Sequence, residues 1–143
     1  MRVLLLFAIL VFSSLSVFSA NNNPWMRSCR IEQGQFWLVK AQQEMALCLF
    51  DDAAIGAETL FLYKSNQKKP LAVAAYLNRE SAATRGGVCG TYDADLVEAR
   101  DTQGQSFNLC KFQDGSLIEE TTLWLGPDSG STEALDKALS TTY

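Results

Sequence analysis

Carboxylates are the side chains of this sequence with the clearest capacity for chemistry. The 143 residues include 16 acidic residues but no histidine, which excludes Ser-His-Asp and Cys-His catalysis and any His-ligated metal site. Glu58 and Glu120 follow two similar segments at the same offset, so they could meet as a glycosidase-type pair. The simpler interpretation is that each glutamate supports a helix start or contacts a neighbouring hairpin. We therefore expect a protein that is not an enzyme and needs no cofactor.

Aspartates at four positions raise the question of calcium binding. These are Asp51, Asp52, Asp114 and Asp128. The sequence contains no D-x-D-x-D-G loop, which is the common calcium-binding pattern. Because aspartate is also a preferred helix cap, capping explains Asp52 and Asp114 at least as well. The sequence therefore predicts no metal site.

Two further residues, Trp37 and Arg85, are candidates for binding a partner. Trp37 follows Phe36 in an apolar segment, and successive strand residues point to opposite faces, so one of the two rings could be exposed to a sugar or a protein. Arg85 lies in the polar loop 79–87, close to Cys89, and this loop could be presented to a protease as an inhibitor. A half-buried aromatic residue and a plain connecting loop are the simpler alternatives.

A motif that occurs twice organises the chain. After Cys48 and again after Cys110, a Phe, an Asp, an aliphatic residue, a Glu and a Thr fall at identical offsets with no gap. A second cysteine precedes each copy, Cys29 before the first and Cys89 before the second. Self-similarity of this kind predicts two related structural units. The predicted divisions are a signal peptide, two cysteine-containing repeats and a C-terminal tail helix, at residues 1–20, 21–66, 67–127 and 128–143.

The four cysteines predict two disulfides, because an exported chain of this size rarely keeps free thiols. Three pairings are possible. The repeat favours Cys29 with Cys48 and Cys89 with Cys110, since equivalent units should close equivalent loops. Closing a loop of about 20 residues stabilises a fold by about 3 kcal/mol, so each bridge would supply a large share of the net stability.

The N-terminal segment has the pattern of a signal peptide. Arg2 is followed by an apolar run from Val3 to Phe12, and small residues then allow cleavage after Ser19 or Ala20. This run is short for a membrane span, and no later segment approaches the required length. The net charge of −4, without a basic cluster, argues against nucleic acid or an anionic membrane as the partner. We expect a secreted or periplasmic protein whose partner is a protein or a glycan outside the cytoplasm.

The elements that must position these residues form an α+β fold, in which a helix, a β-hairpin and a helix occur twice. The two antiparallel hairpins could join into one four-stranded sheet that is covered by helices. Helix starts are indicated by Asn23 before Pro24, and by Ser116 with Glu119 as a capping box. The predicted helices are 24–33, 52–63, 70–78, 116–126 and 131–140, and the predicted strands are 35–40, 45–50, 95–100 and 105–112. The last helix follows a polar flank, so we expect it to dock late or to fray.

The spacing of these residues resembles a family of small exported bacterial domains. The first copy matches through Asn23, Pro24, Cys29, Gln33, Gly34, Cys48, Phe50 and Asp52, and the second through Cys110, Phe112, Asp114, Gly115, Ser116, Glu119, Glu120 and Trp124. The family is the domain of unknown function called family 333, some members of which carry the label haemolysin. This chain departs from its pattern at Gln35 and Ala53, which replace glycines, and it lacks the family's further cysteines. The resemblance implies export and a fold, and it does not imply haemolysis.

The leading functional hypothesis is an exported, non-enzymatic binding module, with inhibition of a secreted hydrolase as one candidate role. The alternatives are a carboxylate-dependent glycan hydrolase and a structural envelope protein. An enzyme should bring Glu58 and Glu120 into one pocket, with roughly 5 to 10 Å between the carboxylates. An inhibitor should instead show a projecting, disulfide-braced loop or an exposed aromatic patch.

Overall fold

A computed structural model describes residues 23–79 and 84–141. The predicted signal peptide, residues 1–20, lies outside these ranges. The strands are β1 (Gln35–Lys40), β2 (Glu44–Phe50), β3 (Ala53–Gly56), β4 (Asp95–Arg100), β5 (Ser106–Lys111) and β6 (Leu117–Glu119). The helices are α1 (Pro24–Ile31), α2 (Ala57–Lys64), α3 (Leu71–Leu77), α4 (Val88–Thr91), α5 (Glu120–Leu125) and α6 (Glu133–Ser140), and Arg85–Gly87 forms a 3-10 turn before α4.

The six strands form a closed antiparallel barrel in the order β1-β2-β3-β6-β5-β4. Helices and antiparallel strands are therefore both present as predicted, but the open four-stranded sheet was wrong. Each predicted hairpin acquires a third strand, β3 or β6, and the two three-stranded halves join at two seams. One seam is the pair Ile55–Ile118 between β3 and β6, and the other is the pair Lys40–Arg100 between β1 and β4.

The additional strands occupy segments that we predicted to be the starts of helices. The predicted helix 52–63 begins only at Ala57, because Ala53 to Gly56 pair with β2 and all four residues are buried. A short apolar run that is covered on both faces has no alternation, so periodicity cannot distinguish it from a helical turn. In the same way, the start of the predicted helix 116–126 is strand β6, and α5 follows it.

One helix cap is the predicted one, and side chains of a turn cap another helix that we had not assigned to them. Asn23 caps α1 as expected, since its Oδ1 accepts from the backbone N–H of Trp25 at 2.9 Å. The capping box of Ser116 with Glu119 was wrong. Glu119 is itself the N-cap of α5, and the Ser116 hydroxyl accepts from the backbone N–H of Ala72 in α3 at 3.0 Å. The turn between β5 and β6 therefore fixes the start of a different helix.

Alternation along the strands creates two hydrophobic clusters. One strand face and the helices form the larger cluster, which contains both disulfides and the fully buried Tyr76. The opposite face fills the barrel with Val39, Leu47, Ala99 and Leu109.

The disulfides confirm the predicted pairing. Cys29 bonds to Cys48 and Cys89 bonds to Cys110, and the described residues include no free cysteine. Each bond joins a helix, α1 or α4, to the central strand of one barrel half.

The C-terminal helix α6 belongs to the core, in contrast to the predicted frayed tail. Leu135, Ala138 and Leu139 are all buried in the larger cluster. The buried Lys64 of α2 also donates through Nζ to the Ala138 carbonyl oxygen at 2.7 Å and lies 3.2 Å from Glu32 Oε1. The ends of three helices are therefore joined at one ammonium group.

Two threonines make reciprocal hydrogen bonds between the barrel halves. Thr59 Oγ1 accepts from the backbone N–H of Leu117, and Thr122 Oγ1 accepts from the backbone N–H of Ala54, each at 2.9 Å. All four residues are buried. Each helix that follows a short strand therefore holds the short strand of the other half.

The strand register shifts the ungapped alignment of the two motifs by one residue. That alignment equates Ile55 with Leu117, but Ile55 pairs with Cys48 as Ile118 pairs with Cys110. Between equivalent pairs of the ladder, residues 50–53 separate Leu49 from Ala54 and residues 112–116 separate Lys111 from Leu117, and this one additional residue accounts for the shift.

Candidate functional site

The barrel has free strand edges beside its β1–β4 seam. Within the described ranges, the only pairing between these two strands joins Lys40 to Arg100. Residues 95–99 of β4 therefore have β5 on one side and no strand on the other. Residues 35–39 of β1 are in the same position. Unpaired backbone N–H and C=O groups along such an edge can accept a further strand.

Trp37 closes the barrel mouth on the β1 side. Its ring packs against the interior cluster, and its Nε1 donates to Asp101 Oδ2 at 3.1 Å. Although burial acts in the opposite direction, hydrogen bonds from the backbone of Gln105, from Trp37 and from the backbone of Gln103 hold the pKa of Asp101 below its usual range. Trp37 was predicted as a binding residue; its ring is partly buried here, and its role in binding stays a prediction.

The mouth on the β4 side lacks this pair of side chains. Val97 is opposite Leu109 in the register, as Trp37 is opposite Leu47. Ala41 follows β1, as Asp101 follows β4. On the β4 side, Val97 therefore stands where the β1 side has the large ring of Trp37. Ala41 stands where the β1 side has the hydrogen-bonding carboxylate of Asp101.

An open groove of about 530 Å³ results along the free edge of β4. Residues that line this open groove include Ala41, Gln42, Met45, Leu96, Val97 and Lys111. Leu96 is 54% exposed, whereas most of the large apolar side chains of the sheet are covered. The volume lies within the range of about 300–1,000 Å³ that is typical of ligand pockets.

Arg85, the second predicted binding residue, lies at a different cleft of about 390 Å³. It begins a 3-10 turn, and its Nε lies 3.7 Å from Oε1 of the buried Glu120. Its side chain is 60% exposed, and residues 80–83 of the predicted inhibitory loop lie outside the described ranges, so the inhibitory role of this loop stays a prediction. The cleft also contains Asp51, Asp52 and Glu119. Both Glu119 oxygens already accept hydrogen bonds at the start of α5.

The structure does not bring Glu58 and Glu120 together. Glu58 is exposed and lines a cavity of about 190 Å³ beside Trp25, whereas Glu120 is buried and contacts Arg85. The register also makes Thr121, rather than Glu120, the counterpart of Glu58. The arrangement therefore provides no facing pair of carboxylates at these two positions.

The four aspartates considered for calcium binding do not all lie at one place. Across residues 23–79 and 84–141, no group of three or more acidic or cysteine side chains is placed to hold a metal ion. Asp114 accepts from the backbone N–H of Leu71 at 2.8 Å and from Ser116, so it fixes the start of α3. Asp52 lies in the turn between β2 and β3 and caps no helix.

Sequence reasoning missed the residues of the open groove. Val97, Leu96 and Met45 read as ordinary strand residues, and a groove on one side only cannot be recognised from periodicity. The signal that could have found it is the comparison of matched strands. Val97 falls where Trp37 falls when β1 and β4 are aligned from their first residues.

Within the described ranges, no helix combines the length and the apolar character that crossing a membrane requires. No protein-family model, curated protein or solved structure matches this chain. The resemblance to family 333 therefore stays a prediction.

Proposed function

We propose that the protein is a non-catalytic binding module, and that it holds an extended peptide segment of a partner protein along the free edge of β4. The observation that carries this proposal is the open groove beside β4, at the place where Trp37 and Asp101 close the other mouth. Glu58 and Glu120 lie apart, so they do not form the facing pair that the alternative of glycan hydrolysis would require of them.

Strand addition explains how such a site would work. Backbone hydrogen bonds to the edge supply affinity, and a pocket that accepts alternate side chains supplies specificity. The edge of β4 offers both, since its backbone from residue 95 to residue 99 is unpaired on one side and the open groove lies beside Leu96 and Val97.

Charges on β4 restrict what can pair with it. Asp95 and Glu98 are exposed on the strand, and Glu98 is 3.0 Å from Arg100. Charged side chains on an edge oppose unspecific association with other sheets. Glu98 lies on the same face of β4 as Leu96, so a partner must match an apolar position next to a negative charge.

We also propose that the two barrel halves are divergent copies of one structural unit. The matching disulfides, the equivalent registers of Ile55 and Ile118, and the reciprocal bonds of Thr59 and Thr122 are what support it. Loss of the tryptophan position in one copy would then have opened the groove.

Two buried disulfides support a protein that works in an oxidising compartment after removal of residues 1–20. Inhibition of a secreted hydrolase remains one role that such a module could have. In this proposal the open groove, rather than the 79–87 loop, is the part of the module that would contact the hydrolase.

Selection from a display library of random heptapeptides tests the proposed function. The oxidised protein serves as bait, and amide chemical shifts in residues 95–99 and 41–43 then locate the bound peptide. A peptide N-methylated at alternate positions is the control, because it cannot pair with the edge. Failure to enrich any peptide, or shifts confined to the Arg85 cleft, would contradict the proposal.

A further inference from the structure

We infer that the open groove recognises an aromatic side chain of the bound segment, an inference that rests on the proposed function. The protein itself contains a template for this contact. On the other side of the barrel, the space that corresponds to the open groove is filled by the indole ring of Trp37.

The position of the template follows from the register. The side chain of Trp37 lies on the interior face opposite Leu47, and Val97 lies on the same face opposite Leu109. Replacing an indole by an isopropyl group leaves room for a ring from outside. A strand that is added to the edge of β4 would point alternate side chains towards this space.

The walls of the open groove suit an aromatic ring. Met45 of β2 corresponds in the strand register to Phe107 of β5, and it lines the open groove. Its thioether sulfur can make favourable contacts with the edge of an aromatic ring. Lys111 takes the place of Leu49, and an ammonium group near a ring face is attracted by the π electrons. An aliphatic occupant would gain from neither contact.

The two sides of the barrel also differ in the hydrogen-bond acceptors that they offer to a ring N–H or O–H. The indole N–H of Trp37 needs the Asp101 carboxylate, and Ala41 offers no acceptor at the corresponding place. The side chains of Gln42 and Glu98 line the open groove instead. A tryptophan or tyrosine that enters the groove can reach these side chains with its N–H or O–H, because such polar ends usually find a partner when the ring is buried.

Sequencing the heptapeptides that bind at the β4 edge tests this inference. We expect an aromatic residue at one fixed position, and replacing it by alanine should weaken binding about tenfold to a hundredfold. The substitution Val97→Trp should abolish binding, because the protein then fills its own groove. The substitution Leu77→Trp, at an exposed position of α3, is the matched control and should bind normally.

A second variant keeps the test decisive if Val97→Trp does not fold. Lys111→Gln should weaken aromatic peptides about threefold or more while leaving their alanine versions unchanged. Peptides that bind along β4 without an aromatic preference would overturn the inference and leave the proposed function intact. Absence of any peptide at β4 would overturn both.

Discussion

Lys64 provides the strongest test of how the helices are held together. Its side chain is 2% exposed, and its ammonium group contacts Glu32 Oε1 at 3.2 Å, the Ala138 carbonyl oxygen at 2.7 Å and Thr141 Oγ1 at 2.9 Å. The side chain of Glu32 is also buried, at 8% exposure. Lys64→Met retains most of the stem and removes only the charged group.

The expected cost is large because the partners stay buried. Breaking a buried ion pair by removing one member costs about 3–5 kcal/mol, against about 0–1 kcal/mol for an exposed pair. For a domain of this size, that loss corresponds to a fall in Tm of roughly 10–20 °C. Lys68→Met is the matched control, since Lys68 is exposed, and it should change stability by less than about 0.5 kcal/mol.

Urea unfolding with the disulfides intact measures this difference, and hydrogen exchange shows where it acts. Because Lys64 joins α2 to α1 and α6, the amides of Glu133–Ser140 should lose protection first in Lys64→Met. A loss below about 1 kcal/mol would refute the reasoning, because it would mean that water solvates the ammonium group as it does at the surface.

Three further predictions concern the barrel. Thr59→Val keeps the side-chain volume but leaves the buried Leu117 N–H unpaired, so urea unfolding should show a loss of about 1–3 kcal/mol, and an unchanged midpoint would contradict the assigned hydrogen bond. Replacing Cys89 and Cys110 together by serine should cost about 3 kcal/mol with the other disulfide retained, and a loss below about 1 kcal/mol would show that this loop is already restricted in the unfolded chain. Although burial opposes it, hydrogen bonds from Ser116 and the Leu71 N–H lower the pKa of Asp114, so its contribution is complete above about pH 4 and is lost as the pH falls through the lower folded value. Asp114→Asn should therefore lower stability at pH 7 and flatten the decline at acid pH, and parallel acid curves for the two proteins would rule this out.

Strands in which buried and exposed residues alternate could be predicted from the sequence. Short strands without this alternation could not. β1 and β4 begin and end at the predicted residues because turn residues bound them and one face is buried. β3 and β6 have only four and three residues. Each pairs with the neighbouring strand of its own half, and the pair Ile55–Ile118, whose members are distant in sequence, joins the two halves. Barrel closure follows from that pairing, so local patterns could not indicate it.

The binding residues show the same division between local and distant causes. An exposed or half-buried aromatic residue at Trp37 was a reasonable expectation from strand alternation. The hydrogen bond of its indole N–H depends on Asp101, which lies beyond the end of a strand in the other half of the barrel. Likewise, Val97 matters because its side chain is smaller than the Trp37 ring and leaves the open groove beside it. A single sequence gives the residue type and cannot give the space around it.

The two disulfides have a consequence for the order in which the protein matures. Each bond lies within one three-stranded half, with a sequence separation of 19 or 21 residues, and neither crosses a seam. The first bond can therefore form while the second half of the chain is still being synthesised, and its native partner is the only cysteine then within reach. Wrong pairs become available only after both halves have emerged, so early oxidation protects the correct connectivity. Closure of the barrel then remains a reversible, non-covalent step that completes assembly.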